Sequence, residues 1–219
     1  MCKQKKIKYI AAIFPFVVFF SSCLGVNAEI TLNANGSGTI ALEYYVSNLL
    51  DSLGRLDGNE RWNTIPAGRA DFERTLARLP DMKLLSFSAR NDGKNLITTA
   101  KMEFETIDGL LAFLDAGGRR SSFSGGGRQG RISFILNEGA KRKNFQFDNL
   151  VADVFESYTI GMSFNLPREG TLLVSDNSGS ALTAIPGSRI VSSGKKLFFS
   201  FPVYEVLSSK DGINVEFSW

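Results

Sequence analysis

Both cysteines of this 219-residue chain lie within its first 23 residues, at Cys2 and Cys23. No disulfide can therefore staple anything downstream, and whatever folds after residue 23 must hold itself together by burial alone. The start of the chain accounts for their placement. Lys3, Lys5, Lys6 and Lys8 stand without an acid among them, an apolar run follows from Tyr9 to Phe20, and Ser21-Ser22-Cys23 closes the segment. Basic, apolar and small residues in that order are the pattern of a secretory leader. The apolar run has twelve residues, short of the roughly 20 that a helix needs to cross a hydrocarbon core of about 30 Å. Residues 1–22 thus read as a signal peptide removed on export and not as a permanent membrane span.

The letters Phe20-Ser21-Ser22-Cys23 resemble the lipobox of bacterial lipoproteins, in which a cysteine follows an apolar residue and two small ones. Phe20 stands where leucine is commoner, which brings the match closer to the looser spirochaete-type lipobox. The resemblance implies lipidation of Cys23, by a diacylglycerol thioether and, after cleavage, an acyl group such as palmitate on its amine. The alternative is a plain secreted chain cut near Ala28, with Cys23 lost in the leader. On the lipoprotein reading, residues 23–28 are a short acylated tether. Extended, the five residues Leu24 to Ala28 reach about 17 Å at roughly 3.4 Å each, so the domain sits close to the bilayer.

Cleavage also removes four lysines and leaves 21 basic against 22 acidic side chains. The basic balance belongs to the leader, and the remaining chain gives no electrostatic reason to expect nucleic acid as a partner. The absence of histidine removes Ser-His and Cys-His nucleophilic sites, histidine bases and histidine-bound zinc together. An acylated Cys23 has no thiol to offer. What remains is carboxylate pairs or a Ser-Lys arrangement. The strand pair Glu103 and Glu105, two apart and hence on one face, reads as a solvated edge. Asp176-x-Ser178-x-Ser180 lacks the charge count and terminal glutamate of a calcium loop, Asp57-Gly58-Asn59-Glu60 is too short a match, and Gly125-Gly126-Gly127 precedes a strand where a phosphate cradle needs a helix. The expectation is a non-enzymatic protein with no cofactor.

The rest of the chain reads as α+β: β-hairpins with about four amphipathic helices packed on a mainly antiparallel sheet, and a β-rich C-terminal third. Glu29 to Asn35 and Thr39 to Ser47 alternate about the turn Asn35-Gly36-Ser37-Gly38, a hairpin signal. Helices are expected near 47–56, 72–79, 106–116 and 149–158, each with leucines or phenylalanines at helical spacing. Asp92-Gly93 joins two strands, Met82 to Asn91 and Lys94 to Thr106. From Thr159 onward no helix is expected. Strands fall near 159–166, 171–175, 188–192, 196–203 and 213–219, the last with Ile213, Val215, Phe217 and Trp219 on one face. Residues 29–158 form the α+β domain, and 159–219 are its β-rich C-terminal part, read as the same domain.

Two segments are candidate contacts. Gly117 to Arg131 carries Arg119, Arg120, Arg128 and Arg131 around a lone Phe123 with no acid. Near a bilayer such a loop could fork onto anionic headgroups, at about 1 kcal/mol per basic residue; its plainer reading is a flexible hairpin loop kept soluble by arginine. Trp62, the large aromatic of the glycine-rich stretch 54–69, is the candidate partner contact. The fourteen phenylalanines left after cleavage read first as core, with a lipid or other hydrophobic ligand carried in an internal cavity as the alternative. The segment Glu29 to Ser47 after a short acylated start, with the aromatic strands and Pro186-Gly187 turn of the tail, resembles small envelope lipoproteins of spirochaete type and, more faintly, LppM-type lipoprotein domains. The likeness implies an α+β domain lipid-anchored in the cell envelope, with an envelope protein or lipid as its partner. Leu24 in place of aspartate after the cysteine favours the outer membrane over the inner one by resemblance to enteric sorting rules.

Overall fold

The computed structural model describes residues 24–48, 68–126, 129–139, 155 and 158–219. In chain order these form β1 (Leu24–Leu32), β2 (Gly38–Ser47), α1 (Arg69–Leu76), β3 (Met82–Asn91), β4 (Asn95–Phe104), α2 (Ile107–Leu114), β5 (Ser121–Gly126), β6 (Gln129–Asn137), β7 (Thr159–Asn165), β8 (Thr171–Ser175), β9 (Arg189–Ser193), β10 (Lys196–Pro202), α3 (Val203–Ser208) and β11 (Ile213–Ser218). Strand dominates. About four amphipathic helices are not found among the described residues, where the three helices have eight residues or fewer. The segments near 47–56 and 149–158 lie, apart from Ser47, Asn48, Phe155 and Tyr158, outside the described residues.

Two sheets carry the fold. Seven strands run in the order β3-β4-β2-β1-β7-β10-β9, and four in the order β5-β6-β11-β8. Pairings among the described strands are antiparallel except that of β1 with β7, which is parallel from Val26 opposite Ile160 to Thr31 opposite Asn165. Strands from both parts of the chain therefore share each sheet. Period-two alternation turns Ile30, Ile40, Met102, Phe164 and Phe199 to one side of the large sheet, where they are fully buried.

That inner face is covered in two places. Over β7 and β10 lies the four-stranded sheet, whose Phe217 ring sits 4.3 Å from Phe164 and 6.0 Å from Phe199, with Phe134 6.3 Å away. Over β2 and β3 lies α1, whose Phe72 meets Tyr44 at 6.4 Å and Phe87 at 5.5 Å. Among the described residues, the second sheet is the main cover of the β7–β10 half. The strand phenylalanines consequently line a packed core, ring against ring.

Four differences from the sequence reading bear on the site. First, β1 starts at Leu24, not Glu29, so the residues expected as a tether are hydrogen-bonded into the sheet; Leu24 pairs with Val46 and Ala28 with Leu42. Gly25 and Asn27 are poor strand formers by themselves, but β2 holds Gly25 and strands on both sides hold Asn27. Second, Ala34 and Asn35 belong to the turn, where Asn35 Oδ1 accepts from the Ser37 N–H at 3.1 Å. Third, the Gly/Arg segment is not a loose loop: Ser121 to Gly126 is strand β5, paired with β6 from Ser121 opposite Phe134 to Gly126 opposite Gln129. Its glycines serve close approach, since a Cβ on Gly125 would lie 2.4 Å from the Gln129 carbonyl oxygen and one on Gly130 would lie 2.3 Å from the Trp219 ring. Fourth, α3 breaks the helix-free tail. It follows Pro202, which cannot donate to a ladder, and its six residues bury only Val203 and Val206, too short a stretch to show a helical period.

Phe217→Ala should cost about 3–5 kcal/mol, because a large ring leaves a cavity between two sheets. Phe198, half-buried on the other face of β10 with the Arg189 guanidinium 5.7 Å above its ring, should cost well under half of that as alanine. Urea unfolding of both variants checks the difference, and equal losses would mean that the two sheets do not pack through Phe217.

Candidate functional site

Of the residues singled out in the sequence, Cys23, Trp62 and Arg128 lie outside the described residues. The other three arginines do not form one patch. Arg120 sits where the chain enters β5; its Nε lies 3.6 Å from Glu138 Oε1, its side chain is 19% exposed, and that nitrogen is buried without a hydrogen bond. Arg131, near the start of β6, reaches Glu216 Oε1 at 3.2 Å. Arg120 lies beside Ile135, whose N–H donates to its carbonyl at 2.7 Å. Four residues of strand, about 13 Å, therefore separate the two arginines. Two of them face a carboxylate that the sequence reading did not foresee, because Glu138 and Glu216 are brought there by β6 and β11. Arg119 makes no ion pair among the described residues.

The beginning of β1 is built differently. β1 is the fourth of the seven strands, with three on either side, so the chain enters the sheet at its middle. Gly25 lies between two phenol rings: a Cβ there would stand 3.3 Å from Tyr158 Cδ1 and 3.4 Å from Tyr45 Cδ2. Tyr158 Oη donates to Asn95 Oδ1 at 2.7 Å, and its carbonyl accepts from the Val203 N–H at 2.9 Å. These bonds tie the starts of β4, β7 and α3 into one rim. A hydrogen bond donated to the Glu43 carboxylate, with some burial, pushes the Tyr45 phenol up to about 12. On the adjoining β3–β4 turn, Asp92 Oδ1 accepts from the Asn95 and Lys94 N–H groups at 2.7 and 2.8 Å. Those bonds hold its carboxyl below the ordinary carboxylate range.

The outer face of the large sheet, opposite the core, carries a cleft of about 420 Å³ across β1, β2, β4 and β7. Asn27, Glu43 and Thr99 stand in one cross-strand row, and Glu29, Ala41 and Lys101 in the next. Asn165 Nδ2 donates to Glu29 Oε1 at 3.0 Å. Small residues at the centre, Ala41, Gly161 and Ser163, leave the space. The lining offers donors and acceptors for a polar partner. Among the described residues no group of three histidine, cysteine, aspartate or glutamate side chains is placed to hold a metal ion.

No family model matches the chain, and no curated protein matches it. Among solved structures, the folded domain of LppM from Mycobacterium tuberculosis, determined by NMR, is similar to this chain with a TM-score of 0.44 and 11% identity, over 90% of this chain and 88% of that one.

One buried polar pair is left over inside. Tyr44 is 2% exposed and Thr98 0%, and they are partners across the β2–β4 pairing. Neither hydroxyl meets hydrogen-bond geometry, although Thr98 stands near enough to stabilise the Tyr44 oxygen in part. Burial first, with a smaller contribution from Asp71 and a partial offset from Thr98, pushes the Tyr44 phenol from 10.0 up to about 12. The unfolded chain starts to ionise near pH 10 while the folded chain does not. Stability from this group is therefore full below pH 10 and lost as the pH climbs toward 12. Since an unpartnered buried hydroxyl costs about 1–3 kcal/mol, Tyr44→Phe should leave stability at pH 7 unchanged or raised and should soften the alkaline loss. Urea midpoints at neutral and alkaline pH measure both, and a clear loss at pH 7 would show that the hydroxyl is bonded after all.

Proposed function

We propose that this protein is a lipid-anchored lipoprotein of the cell envelope that acts by binding a partner at the membrane surface and not by catalysis. The observation that carries the reading is the adjacency of Cys23 to β1. The lipobox-like Phe20-Ser21-Ser22-Cys23 ends where the central strand begins at Leu24, so an acyl group on Cys23 would fasten the middle of the sheet to a bilayer. The plain-secretion alternative cuts near Ala28, which would strip Leu24 to Asn27 from β1 and with them the pairings to Val46, Tyr45, Tyr44 and Glu43. Losing four residues from the middle strand is a cost that cleavage before Cys23 avoids.

The surface offered to the partner is the polar outer cleft, together with the β5–β6 hairpin and its arginines. A carrier of hydrophobic cargo draws no support from the phenylalanines, which fill the space between the sheets. Leu24 after the cysteine supports the outer membrane, and a partner protein of the envelope suits the polar, small-residue cleft better than apolar cargo does.

Expressed as the full chain in a lipoprotein-processing bacterium, the protein should enter the detergent phase on cloud-point partitioning, and its mature mass should correspond to residues 23–219 plus diacylglycerol and an acyl chain. Cys23→Ser should move it to the aqueous phase. If the serine variant still partitions into detergent, or the mature protein starts near Ala28 without lipid, the reading fails.

A further inference from the structure

Resting on acylation of Cys23, we infer that the domain stands upright on its bilayer, on the rim of the large sheet where β1 starts, with Tyr45, Tyr158, Arg90 and Lys94 against the headgroups and Trp219 and Arg131 at the far end. The occupant of this rim is a lipid surface.

The first step is covalent. Neighbouring Cα atoms are about 3.8 Å apart, and Leu24 is already locked to Val46. A thioether at residue 23 would thus hold the start of β1 at headgroup depth, with no free residues to let the domain turn over. The second step is the place of that anchor. β1 is the middle strand of seven, and strands spaced about 4.8 Å apart extend the rim roughly equally on both sides. A domain hung from an edge strand could topple onto one face; one fastened at its centre rests on both halves of the rim.

The third step is the chemistry of that rim. Tyr45 and Tyr158 flank Gly25, two residues from the anchor, and phenols of this kind favour the membrane–water interface. In the same cross-strand row as Tyr45 come Ile97 and then Arg90, and exposed Lys94 lies in the adjoining turn. Asp92 on that turn opposes them, so the contact depends on the anchor and the aromatic rings more than on net charge.

The far end is fixed by a chain of contacts. Thr31, near the end of β1, is level with Asn165 and, through it, with Lys196. The turn before Lys196 holds Gly194, whose carbonyl accepts from the Gly170 N–H at 3.0 Å. A Cβ on Gly170 would lie 2.5 Å from the Ser218 carbonyl oxygen, and Ser218 pairs with Arg131 while Trp219 bonds to Gly130 at 3.0 Å. Arg131 and Trp219 are therefore at the Thr31 end, seven residues or about 23 Å along β1 from Leu24. In an upright domain they cannot share a bilayer with the anchor.

The acylated mature chain has no free thiol, because Cys2 leaves with the leader and Cys23 is blocked. A cysteine introduced at one position can therefore be labelled alone. We would place Lys94→Cys or Arg90→Cys at the anchor rim and Lys195→Cys at the far end, attach a fluorophore, and reconstitute each acylated protein in vesicles whose headgroups carry a nitroxide quencher. Loss of fluorescence at 94 and 90, with 195 at its quencher-free level, is the expected result. Equal quenching at both ends, or stronger quenching at 195, overturns the upright orientation while an intact acyl mass keeps the anchoring. A mature protein without acyl mass overturns both.

Discussion

The fold depends on the parallel pairing of β1 with β7. Each neighbour of β1 other than β7 comes from the first half of the chain, through β2, β4 and β3, and each neighbour of β7 other than β1 comes from the last third, through β10 and β9. The six-residue ladder from Val26 to Thr31 thus joins two antiparallel groups of strands into one seven-stranded surface. A parallel pair needs a long crossover, and here the crossover includes α1, α2 and the β5–β6 hairpin that founds the second sheet. With that ladder in place, Phe164 on β7 and Ile30 on β1 face the same side, where the second sheet can close over them. The two-sheet core is a consequence of this junction.

The same junction explains why one face of the large sheet is dry and the other wet. Residues across from one another at a given register share a face, and so the row Asn27–Glu43–Thr99 is polar from strand to strand and Glu29 and Lys101 flank the small Ala41 in the next, while Ala28–Leu42–Ala100 is apolar. A slip of one residue anywhere in β1 would invert its whole pattern. Holding β1 on both edges is what prevents the slip.

Much of this was legible in the sequence where the information is local. The Asp92-Gly93 turn, with Gly93 at a φ of +92°, the β7, β8 and β10 segments and the alternation of Ile213, Val215 and Phe217 stand at or near their expected places. What failed depends on contacts distant in the chain. The early start of β1 needs β2 and β7 beside it; strand β5 needs β6 to turn a glycine-rich stretch into a ladder; α3 needs Val203 and Val206 to find the core. Binary patterning carries no information of that kind for a six-residue helix or a Ser-Ser-Phe-Ser strand. The candidate site divides in the same way. The lipidation expected at Cys23 rests on four adjoining letters and lies outside the described residues, whereas the glutamates facing Arg120 and Arg131, the tyrosines beside Gly25 and the outer cleft are products of sheet register.

The arginines show how topology changes a sequence argument. Read along the chain, four of them without an acid suggest a patch aimed at anionic headgroups. In the folded molecule the ladder sets Arg120 and Arg131 about 13 Å apart and supplies each with a carboxylate, Glu138 and Glu216. The Arg131–Glu216 pair, with the arginine mostly exposed, contributes little to stability, about 0–1 kcal/mol, but both pairs spend the charge that headgroup binding would need. Arg131 also lies at the end of the sheet remote from Leu24. An anchor at Cys23 and a headgroup contact at Arg131 could be made together only with β1 lying flat along the bilayer, the arrangement that an upright domain excludes. On the proposed upright orientation, the basic hairpin faces away from the bilayer.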